Sequence, residues 1–264
     1  MIPLLEARSV SFFVGTKRLL EDVNLSFHSS QTVALIGPNG AGKSMLLRIL
    51  SGDLQPRSGR VQLGGRRLSS YVPRTLALHR AVMSQQVNVA FPFTVAEVVR
   101  MGAGRHNDPN ADALVGETLE ELDLNDLACR DITTLSGGEQ QRAHFARVLV
   151  QLAYGRQHGG SNVLLLDEPT ASLDLRHQLG MLEAAKRRAQ KGALIISIFH
   201  DLNLAALFAE YLVVLHRGRV YTSGSPQETL TDTMLKRVFG VETRVSEAPK
   251  MDLPFVLPQT MLAI

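Results

Sequence analysis

The run Gly37-Pro-Asn-Gly-Ala-Gly-Lys-Ser44 constrains this chain more than any other feature. It fits the pattern G-x-x-x-x-G-K-[ST] in full. Its flanks are those the pattern needs. The apolar run Thr32 to Ile36 before it reads as a buried strand, and Met45 to Leu50 after it carry helical spacing, with Gly52 suited to the helix terminus. Strand, glycine loop and helix in this order make a cradle for phosphate. The glycines let backbone N–H groups converge on phosphate oxygens, Lys43 adds a point charge, and the Ser44 hydroxyl is a ligand for Mg²⁺. A tight strand-to-helix turn alone would account for the glycines but for neither Lys43 nor Ser44.

Such a loop needs an α/β core, and the rest of the sequence supplies one. Val163-Leu-Leu-Leu and Ala193 to Phe199 are continuous apolar runs, each followed by a polar cluster, and Leu182 to Gln190 between them reads as a crossover helix. That succession predicts parallel sheet. Leu4 to Phe13 and Val23 to Phe27 read as strands flanking Gly15, and Ser58 to Leu68 alternates around Gly64-Gly65, a two-residue hairpin turn. Some antiparallel sheet therefore accompanies the core. From Val95 to Leu127 the apolar residues recur at three and four, which predicts helix, with a polar break over Gly102 to Asn110. Past Gly240, with Pro249, Pro254 and Pro258, the sequence is irregular.

Composition excludes several classes. At 264 residues, 45% hydrophobic and 20% charged, the chain has the make-up of a globular protein, one that buries about 70 to 75% of its unfolded surface at this length. The 28 Lys and Arg against 25 Asp and Glu leave +3, with the basic residues scattered, so nucleic acid is not indicated. The longest apolar stretches, such as Ala193 to Phe199 and Tyr211 to Leu215, fall far short of the ~20 residues of a membrane-crossing helix. The start, Met-Ile-Pro-Leu-Leu-Glu-Ala-Arg, lacks the pattern of a secretory signal. One cysteine, Cys129, allows no internal disulfide and is consistent with a reducing compartment. The cytoplasm is the expected location.

Two further motifs carry chemistry. Val163-Leu-Leu-Leu-Asp-Glu-Pro169 is an apolar strand ending in adjacent carboxylates. Alone it would be an ordinary strand-end turn. Beside a phosphate loop, Asp167 is expected to hold the Mg²⁺ shell and Glu168 to polarise a water for attack on a γ-phosphate. In Leu135-Ser-Gly-Gly-Glu-Gln-Gln-Arg142, Ser136 and Glu139 form a capping box and Gly137-Gly138 a flexible entry to a helix. A helix N-terminus with free N–H groups and a serine hydroxyl is also an anion site.

These motifs, in this order, make the chain resemble the ATP-binding subunit of ABC transporters over roughly residues 4 to 225. The resemblance implies an α/β fold: a P-loop NTPase core with a mostly parallel sheet, an antiparallel β subdomain and a helical subdomain, about residues 86–145, carrying the signature. Residues 1–240 would form the ATPase domain and 241–264 an irregular C-terminal extension. It implies that Gly37, Pro38, Asn39, Gly40, Ala41, Gly42, Lys43 and Ser44 cradle ATP, that Ser44, Gln85 and Asp167 serve Mg²⁺, and that Glu168, His200, Lys43 and Gln85 carry catalysis. Gln85 matches the family's glutamine that senses Mg²⁺ and the attacking water, and His200 its switch histidine at the γ-phosphate. Ser136, Gly137 and Gly138 would bind the γ-phosphate of ATP held by a second copy, and Asp174 matches the loop that communicates across that homodimer. One position departs from the family: Val14 stands before Gly15 where many members place an aromatic residue to stack on adenine, leaving Phe12 or Phe13 as substitutes.

Within the family, Gln86 to Gly102 looks like the importers of haem, iron-siderophores and vitamin B12, and Ala90-Phe-Pro-Phe-Thr-Val and Asp174-Leu-Arg-His-Gln resemble the hemin-import ATPases. The expectation is a hemin importer ATPase, peripheral on the cytoplasmic face of the bacterial inner membrane. Its partners would be a second copy, two transmembrane permease subunits and, indirectly, an external haem-binding protein. A ferric-siderophore or cobalamin importer is the alternative cargo, and a soluble non-transport ABC ATPase the alternative class. Phe91, Phe93 and Met101 are candidates for an apolar groove that receives a permease helix, against ordinary packing. His79, His106, His158 and His177 lack clustered ligand spacing, so direct haem binding by this chain is not expected.

Overall fold

The structure is a computed structural model that describes residues 3–85, 91–104, 108–248 and 254–260. Gln86 to Ala90, His106 and Pro249 lie outside the described residues. In chain order the elements are β1 (Leu5–Val14), β2 (Lys17–Phe27), β3 (Thr32–Ile36), α1 (Lys43–Ser51), β4 (Ser58–Leu63), β5 (Arg66–Arg67), α2 (Pro73–His79), β6 (Arg80–Met83), α3 (Val95–Arg100), α4 (Pro109–Glu121), α5 (Gly137–Gln157), β7 (Val163–Leu166), α6 (Leu175–Gln190), β8 (Leu194–Ile198), α7 (Leu202–Phe208), β9 (Tyr211–His216) and β10 (Arg219–Gly224). Short helical turns follow at Pro226–Thr229, Asp232–Met234, Leu235–Phe239 and Pro258–Thr260.

Two sheets form. One runs β10-β9-β3-β8-β7-β6, parallel except for the antiparallel edge β10. The other, β2-β1-β4-β5, is antiparallel throughout. The continuous apolar runs are buried on both faces, and strand alternation divides them between two cores. Val33 and Leu35 of β3, with Val163 and Leu165 of β7, meet α1 and the antiparallel sheet. Ala34, Ile36, Leu164 and Leu166 meet the helical layer of α3, α4, α5 and α6. Leu46, Leu47, Ile49 and Leu50 bury the inner face of α1, each worth about 1.5 to 3 kcal/mol against exposure.

The sequence expectations hold for the parallel core, the antiparallel sheet and the helical region. Gly64 and Gly65 turn the hairpin with φ of 56° and 78°, as a two-residue turn of the mirror-image type requires. The polar break after α3 is shorter than Gly102 to Asn110, because Met101–Ala103 continues as a 3₁₀ turn and Pro109 opens α4 behind an Asp108 cap. The crossover helix starts at Leu175, earlier than Leu182, because Asp174 caps a first turn in which Arg176, His177 and Gln178 follow an exposed Leu175 and show no apolar period.

Parallel strands place their carboxyl ends along one edge of the sheet, where ligands of open α/β folds bind. Here that edge gathers the residues that follow β3, β6, β7 and β8. The β6 and β7 ends are joined directly, with Asp167 N–H donating to Met83 O at 2.9 Å.

Candidate active site

The loop after β3 turns hard against β9. Gly37 has φ 147°, and a Cβ there would stand 2.2 Å from Leu215 O, so only glycine fits. Lys43, first residue of α1 and buried, donates from Nζ to Gly37 O at 2.7 Å and Pro38 O at 3.0 Å, spanning the loop from within. Burial pushes its ammonium below the usual lysine range, while Glu168 and Asp167 oppose that shift. Among the described residues, the backbone N–H groups of Gly40, Gly42, Lys43 and Ser44 donate to no protein acceptor. Four free amides and an ammonium at a helix start make a donor set that suits the oxygens of a phosphate chain.

Ser44 Oγ donates to Asp167 Oδ1 at 3.2 Å. Asp167 is buried, which raises its pKa, and the Ser44 hydroxyl works against that rise. A hydroxyl and a carboxylate oxygen side by side are hard ligands of the kind Mg²⁺ takes beside phosphate. These two groups fit a Mg²⁺ ion.

Glu168 follows with φ 52°, a left-handed backbone that is uncommon away from glycine. Its carboxylate gathers two of the expected residues. Gln85 Nε2 donates to Oε2 at 2.7 Å, and His200 Nε2 meets Oε1. The backbone after Glu168 is held as well, since Gln141 Nε2 donates to Glu168 O at 3.1 Å and to Pro169 O at 2.7 Å. Sequence reasoning missed Gln141. It stands inside the Leu135 to Arg142 motif as the second of two glutamines, and nothing in the sequence singles it out.

Lys43, Ser44, Asp167, Glu168, Gln85 and His200 thus form one hydrogen-bonded and electrostatic cluster. Ser136, Gly137, Gly138 and Asp174 stand apart from it. Ser136 caps α5: its Oγ accepts from Glu139 N–H at 3.3 Å, and Glu139 Oε2 accepts from Ser136 N–H at 2.8 Å. Asp174 caps α6, accepting from His177 N–H at 3.0 Å and pairing with His177 Nδ1, contacts that hold its carboxyl below the usual range. Ser136, Gly137 and Asp174 are exposed, so the helix starts of α5 and α6 are open to solvent.

At the β1–β2 tip, Val14 is 59% exposed, while Phe12 is committed to the core. Phe12 is therefore not available to stack on a base, and of the two expected substitutes only half-buried Phe13 remains. Phe91, Phe93 and Met101 are exposed rather than packed, at 68%, 37% and 51%. Met101 lines a groove of about 300 Å³ between the Met101–Gly104 turn, α2, the α5 residues Gln151 and Tyr154, and His158 at the C-cap of α5. Of the four histidines weighed as haem ligands, the three described are engaged separately, His79 with Ser161, His158 with Tyr154 O and His177 with Asp174.

Comparison with known proteins places this geometry. The family model described as ABC transporter matches residues 20–171. The hemin import ATP-binding protein HmuV of Rhodopseudomonas palustris (strain HaA2) is 53% identical over 259 residues, covering 98% of each chain. The protein of the same name from Agrobacterium fabrum is 41% identical over 257 residues, 97% of this chain and 99% of its own. Among solved structures, an ATP-binding subunit of an ABC transporter is similar at a TM-score of 0.76 and 26% identity, over 90% of this chain and 94% of that one. A dimeric ATP-binding cassette in a post-hydrolysis state, bound to ADP and Pi, shares the fold at a TM-score of 0.73 and 24% identity, over 84% of this chain and 98% of that one.

Proposed function

The chain belongs to the ABC transporter ATP-binding family, and from that premise we propose that it is the ATP-hydrolysing subunit of an importer that brings haem into the bacterial cell. The observation that carries the reading is the full-length similarity to hemin import ATP-binding proteins, at 53% identity in one of them. The cluster around Glu168 supplies matching chemistry.

In this reading the free amides of Gly40, Gly42, Lys43 and Ser44 hold the phosphates of ATP, and Lys43 turns its ammonium from the carbonyls of Gly37 and Pro38 toward them. Ser44, Asp167 and Gln85 serve Mg²⁺, which when bound neutralises phosphate charge. Glu168 accepts a proton from the attacking water, with Gln85 and His200 fixing its carboxylate. His200 also reaches the γ-phosphate. The exposed N-terminus of α5, with Ser136, Gly137 and Gly138, completes the site of a second copy, and Asp174 lies at the contact between copies. A site that needs two chains gives each hydrolysis step a closed state and an open one.

The remaining partners follow from the same reading. Among the described residues no helix is long and apolar enough to cross a membrane, and two permease subunits supply the membrane path. Exposed Phe91, Phe93 and Met101 and the groove beside Met101 support this face as the seat for a permease helix. A haem-binding protein outside the membrane delivers cargo, and this subunit is peripheral on the cytoplasmic face.

The test is uptake by vesicles that carry the complete complex with ATP on the side of this subunit. Haem should accumulate only with hydrolysable ATP, ahead of ferric siderophore and cobalamin. Preferential uptake of siderophore or cobalamin would contradict the cargo, and uptake independent of ATP would contradict the role.

A further inference from the structure

Glu168 is held from two sides, and only one of them belongs to its carboxylate. Gln85 and His200 fix the acid group. The peptide that carries it is fixed by Gln141, one residue of α5, whose single amide nitrogen donates to the carbonyls of both Glu168 and Pro169. The turn it grips has only a long backbone hydrogen bond of its own onto the first of these carbonyls, Ala171 N–H to Glu168 O at 3.4 Å. Glu168 sits at φ 52°, a region a non-glycine residue rarely adopts unless its surroundings impose it. Two successive carbonyls bound by one planar amide fix the orientation of the peptide between Glu168 and Pro169, and with it the direction in which the Glu168 side chain leaves the chain.

A second contact joins the same helix to the same turn. A Cβ on Gly138 would stand 3.0 Å from Ser172 O, so the first turn of α5 rides directly on the segment after Pro169. α5 begins at the Ser136 cap, open to solvent, and one turn further in it reaches the backbone of Glu168.

We infer that Gln141 is a positioning residue for the hydrolysis step: its amide sets the peptide after Glu168 and links the position of the α5 N-terminus to the aim of the Glu168 carboxylate. The inference rests on the reading of Glu168 as the proton acceptor. A shift of α5, as when Ser136 engages a ligand from outside the chain, then moves Gln141 and with it the general base. Glu168 is aimed when α5 is seated and misaimed when it is not.

Two substitutions test it in the full chain assembled with its membrane subunits. Gln141→Met keeps the length of the side chain and removes the donor. It should lower kcat about 10- to 100-fold, the scale of a misplaced catalytic group, while the Kd for ATP stays within about twofold, because no phosphate contact is touched. Gln141→Glu adds a separate readout. An ionised carboxylate has no proton to donate to the two carbonyls, whereas the neutral acid has one. The kcat of Gln141→Glu relative to the native chain should therefore rise as pH is lowered from about 8.5 to 6, since two facing carbonyls favour the protonated form.

A native kcat for Gln141→Met overturns the inference, and so does a ratio for Gln141→Glu that stays flat across that pH range. Glu168→Gln is run in parallel. If it hydrolyses ATP at the native rate, the reading of Glu168 itself fails. If it is inactive while Gln141→Met is fully active, only the role of Gln141 fails.

Discussion

With the Lys43 ammonium bonded to the carbonyls of Gly37 and Pro38, Lys43→Ala removes the only side-chain charge inside the loop. Charge-assisted hydrogen bonds of this kind are worth about 1.5 to 3 kcal/mol each, so ATP affinity should fall by at least ~10-fold in a titration of the purified variant. Unchanged affinity would remove Lys43 from the binding role. Glu168→Gln separates binding from chemistry. The amide keeps the size of the side chain and leaves Lys43, Ser44 and Asp167 in place, so ATP should still bind while hydrolysis falls ~10² to 10⁴-fold. The variant should accumulate as an ATP-bound dimer on size-exclusion chromatography, and a fully active monomer would contradict the assignment. At this scale much was legible in the sequence: Lys43, Ser44, Asp167 and Glu168 announce themselves through residue types in fixed spacing. Gln141 did not, because its role is made by a contact between α5 and the turn after β7, and no local pattern encodes which of two adjacent glutamines faces that turn.

Among the elements, the strands buried on both faces were the plainest to read. β3 was expected over Thr32 to Ile36 and occupies that span, because its two cores demand an uninterrupted apolar run. β10 gave no such signal: it is an edge strand with no buried residue, paired only to β9. α2 and α7, each seven residues long, offer too few turns for a helical period to show. α5 carries a buried feature that sequence could not reveal. His144 lies in the core, and its Nδ1 has no partner among the described residues. Burial, with Arg147 adding, pushes its pKa down to about 4. A histidine kept neutral in the native state and protonated in the unfolded one stabilises the fold fully above its unfolded pKa of about 6.5, and that contribution is lost as pH falls toward 4. Between pH 7 and 5 the loss should be on the order of 2 kcal/mol. His144→Leu should show a correspondingly smaller fall in stability than the native chain when urea unfolding at the two pH values is compared. An identical fall in both would mean that His144 does not titrate across that interval.

For the whole molecule, the arrangement divides the expected site residues into two groups. Lys43, Ser44, Gln85, Asp167, Glu168 and His200 converge at the carboxyl ends of four parallel strands. Ser136, Gly137 and Asp174 stand at helix starts open to solvent, with the hydrogen bonds of Ser136 and Asp174 confined to their own caps. One chain therefore holds both halves of the proposed site but does not close them on each other, and in the proposed function the exposed half serves a second copy. Sequence motifs name both halves equally well. They carry no information on which half belongs to which chain, since that is settled only where surfaces meet.

The most direct test mixes two broken chains. A heterodimer is prepared from one Lys43→Ala chain and one Ser136→Arg chain, in membranes containing the permease, and both tightly bound ATP and phosphate release are counted per heterodimer. If sites are shared between chains, both lesions fall in one site and leave the other whole, so the account predicts one ATP held per heterodimer. That site should also turn over unless coupling through the permease silences it, in which case ATP is held without release. If each chain instead works with its own Lys43 and Ser136, both sites are damaged, and a heterodimer that neither retains nor hydrolyses ATP would contradict the shared site.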